Sequence, residues 1–317
     1  MKKFIFLFTL ILSSTVFVHS VYAKESSLTI YPSLTEININ RNDNYTEYVN
    51  IYNSGSKPIA LKVFAQNFGV TGLNGSVDFI NDKSKFASSS WFHFKQTLIA
   101  MAPYETLHFP VDIKVPNNAY PGGHYVAVFF QKINNINKNK SIAIVSRIGA
   151  LFFLSVGGNV YYDAKLTNID LKSNVLHLGN FYFPFISMNN FDVISTIKNL
   201  SNDYIIENGS IYLDKSNNQR KTISNIPQHI ILQKEKRKIV SNVKESLSFG
   251  QYNIYSSIRY GYNQGSIDSK SIIILPIYFI ILTSLVILFI LYIVTFKKKF
   301  LFKYIKEKYE KVHKKIR

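Results

Sequence analysis

Residues 107–115 read Leu107-His108-Phe109-Pro110-Val111-Asp112-Ile113-Lys114-Val115. Apolar and polar residues alternate without a break. Alternation of period two is the pattern of a β-strand with one face in a core and one in water. Pro110 falls in the polar phase. It has no N–H to give to a ladder, so it marks this strand as a sheet edge. The same period extends outward along the chain. Ile37 and Ile39 alternate with Glu36, Asn38 and Asn40, and Val49 shares a face with Ile51. Ile59, Leu61, Val63 and Ala65 alternate with Lys62, Phe64 and Gln66. Turn residues punctuate these runs at Asn53-Ser54-Gly55-Ser56-Lys57-Pro58, at Pro116-Asn117-Asn118, at Pro121-Gly122-Gly123 and from Asn134 to Lys140. No stripe of period 3.6 interrupts residues 28–271. Many short strands with spaced turns imply an all-β fold of sandwich type.

A faint repeat divides that region in two. Gly123-His124-Tyr125 and Ser248-Phe249-Gly250-Gln251-Tyr252 both hold a Gly-x-Tyr that opens an apolar strand. In immunoglobulin-like sandwiches a Tyr near the start of strand F ties down a corner through its hydroxyl. The residue two places later, a disulfide Cys in antibody domains, is here Ala127 or Ile254. The expectation is two tandem immunoglobulin-like β-sandwiches, residues 24–158 and 159–271, joined at Gly157-Gly158. Within the second, Asp192 to Asn199 reads as a strand ending in a turn, Asn208-Gly209 as a hairpin turn and Lys234 to Lys238 as a solvated charged turn.

The two ends set the geography. Lys2 and Lys3 precede an apolar run from Phe4 to Val18, and Val21-Tyr22-Ala23 follows, so residues 1–23 read as a secretory signal peptide. Residues 272–296 carry no charge over 25 positions and abut Lys297-Lys298-Lys299. That length suffices for one C-terminal transmembrane helix, with Tyr278 and Tyr292 as interfacial anchors. The lysines put residues 297–317 in the cytoplasm and the two sandwiches outside it, giving a single-pass cell-membrane protein. The tail holds ten Lys or Arg against two Glu, a net +8. Leu301, Ile305, Val312 and Ile316 fall near one face of a tail helix that would lie on anionic lipid headgroups, although a stop-transfer cluster needs no further purpose.

Charge and chemistry exclude more than they assign. Of the formal +18, the tail and signal peptide hold more than half, leaving a mild basic bias that does not indicate a nucleic-acid partner. The chain has no Cys, so there is no disulfide, thiol nucleophile or thiolate metal site. His93, His108, His124, His177 and His229 show no ligand spacing, and His108 and His124 read as surface residues. There is no nucleophile elbow and no phosphate loop. Asp78 and Asp82 hold only a weak calcium spacing. The expectation is a protein that is not an enzyme and carries no catalytic, cofactor-binding or metal residues. For binding, the stretch from Asn67 to Ser90 reads as the longest irregular segment. It leads to the only Trp, Trp91, which is either an interface anchor or a core filler.

The order of parts resembles the WxL-interacting proteins of bacterial surfaces. So do the extended Pro32-Ser33-Leu34-Thr35-Glu36 start, the Asn53-Ser54-Gly55 turn, and Val111-x-Ile113-x-Val115-Pro116 leading to Gly122-Gly123. That resemblance implies a peptidoglycan-binding first domain and a protein-binding second domain. The expected function is therefore a membrane-anchored surface binding protein, attaching a peptidoglycan-type wall polymer or an exported protein non-covalently. The alternative is an extracytoplasmic, chaperone-like assembly factor that acts by strand donation.

Overall fold

The computed structural model describes residues 28–80, 84–133, 146–215, 220–261 and 264–315, with the side chains of 303 and 306–315 left aside. The signal peptide, Asp82, the Asn134–Lys140 turn and the apolar face of the tail beyond Ile305 lie outside what it describes. The chain forms two compact units that divide after Val156, except that residues 69–78 and 121–123 group with the second. Each unit is a β-sandwich, and a single apolar helix follows the second.

The first sandwich contains β1 (Thr29–Tyr31), β2 (Leu34–Ile39), β3 (Asn44–Tyr52), β4 (Ile59–Thr71), β5 (Ser76–Phe79), β6 (Phe92–His93), β7 (Leu98–Met101), β8 (Thr106–Lys114), β9 (Gly122–Lys132) and β10 (Arg147–Val156). One sheet runs β1-β3-β8-β6, the other β2-β10-β9-β4-β5 with β7 beside β4. The first strand is shared between sheets. β1 pairs antiparallel with β3, the chain crosses at a cis Tyr31–Pro32 peptide, and β2 then pairs parallel with β10. The alternation in β8 points Phe109, Val111 and Ile113 into the core with Val49, Ile51, Val126, Val128 and Phe152. β8 is not the outermost strand of its sheet, but Pro110 lies on a stretch of it left uncovered on one side among the described residues. β3 pairs β8 along one side, while β6 covers only Asp112 and Ile113 on the other.

The second sandwich contains β11 (Ala164–Lys172), β12 (Leu176–Leu178), β13 (Phe181–Phe183), β14 (Met188–Asn199), β15 (Ile205–Asp214), β16 (Arg220–Ile231), β17 (Lys236–Leu247), β18 (Gly250–Tyr260) and β19 (Gln264–Ile274). Its sheets run β11-β14-β17 and β12-β13-β19-β18-β15-β16. The hydroxyls of Ser195 on β14 and Ser256 on β18 lie 2.8 Å apart, fully buried, and link the two sheets.

Asn208-Gly209 is not a hairpin turn. β15 runs straight through it, with only a bulge against β16 between Glu207 and Gly209. The glycine serves a close approach instead: a Cβ there would stand 2.0 Å from the Ser257 carbonyl oxygen. The helix also begins later than hydropathy suggests. Ile272 and Ile274 are fully buried and pair with Tyr252 and Gly250, so they belong to β19. After Leu275-Pro276 the helix α1 runs from Ile277 to Lys315, and Ile277–Phe302 is long and apolar enough to cross a membrane.

Two local devices occur once in each sandwich. Asn53 follows β3 and is fully buried. Its Oδ1 accepts from Gly55 N–H at 3.1 Å, and its Nδ2 donates to the carbonyls of Lys57 at 3.0 Å and Ala102 at 2.7 Å. Asn199 ends β14 in the same way. Its Oδ1 accepts from Ser201 N–H at 2.8 Å, and its Nδ2 donates to Asp203 at 2.8 Å and Ile231 at 2.9 Å. Both plugs bond the same positions downstream, two for the oxygen and four for the nitrogen.

The second device is the corner aromatic. Each such ring follows a glycine of positive φ, Gly122 at φ 109° and Gly250 at φ 143°. Tyr252, two residues after Gly250, donates its hydroxyl to the Ser248 carbonyl at 3.2 Å. Two residues after Gly122 stands His124, whose Nε2 lies 2.9 Å from the Tyr120 carbonyl. The repeat is thus shifted by one from the Gly-x-Tyr reading. Tyr125 packs elsewhere, against Phe68 and Phe153.

Candidate binding surface

A strand at the edge of a sheet exposes unpaired N–H and C=O groups, and proteins usually blunt such edges with charge, proline or shortness. The second sandwich does so throughout. β17 carries Lys236, Arg237, Lys238, Lys244 and Glu245, β16 carries Pro227, and β12 has three residues. β11 carries Lys165, Asp170 and Lys172. On the first sandwich, β8 has Pro110, and β5 and β7 have four residues each.

One side of the first sandwich is left open. Because the chain crosses from β1 to β2, β1 covers only Asn50, Ile51 and Tyr52 of β3. Among the described residues, no strand pairs with Asn44–Val49 on that side. Among the described residues β2 is itself the last strand of its sheet, so Leu34–Ile39 is a second uncovered edge. The crossover joins Tyr31 to Leu34, so both edges lie on one side. Neither stretch contains Lys, Arg or Pro, and each carries a single carboxylate, Glu36 and Glu47.

An aromatic face adjoins this side. Tyr48, Asn50 and Tyr52 project from the face of β3 opposite Val49 and Ile51, and Tyr31 stands across from Asn50. Tyr31 is 73% exposed and Tyr48 55%. Their neighbours on β8 are His108, opposite Asn50, and Pro110, opposite Tyr48. Tyrosine offers a large apolar body with a polar tip and is favoured where surfaces meet partners.

The residues singled out by sequence fall elsewhere. Trp91 is buried in the first core, its ring 4.5 Å from that of His124. The stretch from Asn67 to Ser90 is not one irregular segment, because β4 extends through Thr71 and β5 follows. His93, His108 and His177 are exposed on separate strands, and His177 stacks on Tyr182. His124 is fully buried rather than on the surface. Its Nδ1 lies 2.9 Å from the Phe86 carbonyl, and burial lowers its pKa although both carbonyls favour the charged ring. Asp78 is exposed on β5, and among the described residues no three of His, Cys, Asp and Glu come together as a metal site.

The sequence reading passed over Glu207. It is fully buried on β15, its Oε1 lies 3.2 Å from His229 Nδ1 without hydrogen-bond alignment, and neither oxygen has a hydrogen-bond partner. Burial pushes its pKa up to about 8, against the pull of Arg237. A protonated Glu207 suits that site, and neutral His229, whose pKa burial lowers, can accept its proton. Both residues lie within one sheet, on β15 and β16, so the pair reads as a structural pair rather than an acid–base site.

No protein-family model matches the sequence, and no curated protein matches it. Solved structures show likeness at low identity. The class 5 fimbriae chaperone CfaA is 14% identical, with a TM-score of 0.40, over 77% of this chain and 98% of that one. The E. coli chaperone DraB is 12% identical, with a TM-score of 0.34, over 78% and 96%. The CsuC–CsuE chaperone–tip adhesion subunit complex of Acinetobacter baumannii is matched at 10% identity and a TM-score of 0.34, over 79% of this chain and 99% of that one. At such scores these likenesses assign no function to this chain.

Proposed function

We propose that the chain is a single-pass membrane protein whose first sandwich captures an exported protein partner by strand addition along its open side. The observation that carries this reading is the pair of edges uncovered among the described residues, Leu34–Ile39 and Asn44–Val49, where the other edges are short, carry lysine or are broken by proline. An incoming strand gains main-chain hydrogen bonds there and sets alternate side chains against the sheet face. Tyr45 and Tyr48, exposed in the β3 edge, supply aromatic anchors. The apolar helix holds the capture site at the membrane, with the sandwiches outside and the basic tail inside.

The test is hydrogen exchange on the full chain in nanodiscs, alone and with the exported protein fraction of its source cells. Slowed exchange confined to Leu34–Ile39 or Asn44–Val49 is the expected result. A partner that binds while those amides exchange as before would sink the reading.

The tyrosine face favours a second reading, attachment to a peptidoglycan-type polymer, in keeping with the resemblance to WxL-interacting proteins. The exposed rings offer stacking to sugars, and the exposed His108 beside them offers hydrogen bonds. In that case Tyr31→Ala and Tyr48→Ala would abolish co-sedimentation with protein-stripped wall, with no edge amide protected.

A further inference from the structure

The second sandwich has an apolar base at the point where the chain turns into α1. Between Lys172 and Asp192 there is no Lys, Arg, Asp or Glu. In this stretch the β12–β13 hairpin sets Leu176 and Leu178 on one face, opposite Phe183 and Phe181, and Phe185-Ile186 follows. Leu176 is 72% exposed, Leu178 74%, Phe185 67% and Ile186 61%. Four such exposed side chains along one hairpin and its exit are unusual for a soluble surface.

Their position gives them a purpose. β13 runs parallel to β19, and its pairing continues past the sheet into the helix. Leu275 N–H donates to the Tyr182 carbonyl at 2.8 Å, Ile277 N–H to Pro184 at 2.8 Å and Tyr278 N–H to Phe185 at 3.4 Å. Phe185 and Ile186 are therefore pinned at the level of the first turn of α1. The β17–β18 turn adds Phe249, whose ring lies 4.9 Å from that of Phe279 in that same turn.

We infer that this apolar base is a lipid-binding surface, seated in the interfacial layer of the outer leaflet around the entry of α1. The inference rests on α1 crossing the membrane. A helix so placed brings headgroups and the upper acyl chains to the height of Tyr278, and the pinned hairpin brings Phe185 and Ile186 to that height beside it. Aromatic and aliphatic side chains at the headgroup boundary are stabilised by the apolar area they withdraw from water. The occupant is supplied by the membrane itself, so no second protein is required to cover the patch.

The chain lacks cysteine, so single cysteines report cleanly. Nitroxide labels at Phe185→Cys, Ile186→Cys and Leu178→Cys are measured on the full chain in nanodiscs, by collision with oxygen and with a water-soluble nickel chelate. Ile287→Cys, in mid-helix, checks the membrane crossing, and Lys236→Cys, at the opposite end of the second sandwich, gives the aqueous reference. The expected result is an oxygen-to-nickel ratio at 185 and 186 several-fold above that at 236. Leu178, further from the helix along the hairpin, should fall between. If Ile287 is lipid-like while 185 and 186 match 236, the lipid surface is refuted and the helix reading survives. If Ile287 meets the nickel chelate freely, both fail together. If 185 and 186 are shielded from both reagents, protein covers the base and the lipid assignment is overturned.

Discussion

Glu207→Gln should stabilise the second sandwich at neutral pH and leave it unchanged at acid pH. The carboxyl is fully buried with both oxygens unpartnered, and burial raises its pKa from 4.5 to about 8. Between those values the folded chain holds a proton that the unfolded chain releases. Stability is then fully present below pH 4.5 and declines as pH rises, by about 1.4 kcal/mol per unit. By pH 7 the accumulated loss is roughly 3 kcal/mol, ending near pH 8 where the folded group also ionises. Glutamine keeps the shape and carries no charge. The assay is hydrogen exchange on the full chain in nanodiscs, corrected for intrinsic rates, read over Glu207–Asp214 from pH 5 to 8. The native chain should lose protection across that range relative to Glu207→Gln, and the two should converge near pH 5. A native profile parallel to that of the variant would refute the reasoning.

His124→Leu strips the Phe86 and Tyr120 carbonyls of their ring partner and should cost about 3 kcal/mol, read from Trp91 fluorescence on unfolding. Because burial lowers the folded pKa of His124, the native first sandwich should lose stability as pH falls below about 6.5, and His124→Leu should flatten that decline. Ser195→Ala and Ser256→Ala should each cost about 1–2 kcal/mol by orphaning the other hydroxyl, and the double variant should cost less than their sum, as measured by a double-mutant cycle. Asn199→Ala frees the Asp203 and Ile231 carbonyls together and should cost about 3 kcal/mol, seen as early melting of the second sandwich. Gly209→Ala forces its Cβ against the Ser257 carbonyl and should cost about 3 kcal/mol or more, seen as lost protection in β15 and β18.

What could be read in advance was whatever depends on neighbours along the chain. The alternation in residues 107–115 gives β8 and its buried face, because side-chain direction in a strand is set by parity alone. The charge-free run gives the helix but not its start. Ile272 and Ile274 are apolar for the core of the second sandwich rather than for lipid, and hydropathy does not separate the two. Asn208-Gly209 misled because the glycine answers to Ser257, distant in sequence. His124 misled because its two carbonyl partners belong to Phe86 and Tyr120, and a histidine beside Gly-Gly looks like a turn residue. The paired plugs at Asn53 and Asn199 were legible as turns but not as a repeat. Only the offsets of their bonded atoms reveal the correspondence. The open side was hidden altogether, since an uncovered edge is defined by which strand fails to lie beside it.

The join between β19 and α1 bears on how the molecule carries load. Two residues separate Ile274, the last residue of β19, from the helix, so tension on the helix passes to β19 through a short link. That strand is clasped by β18 over the whole run from Gln264 to Ile274. A pull in this direction shears the entire ladder at once instead of peeling it rung by rung. Force applied between the helix and the sandwich would therefore meet a fastening at β18–β19 that yields as a single mechanical unit.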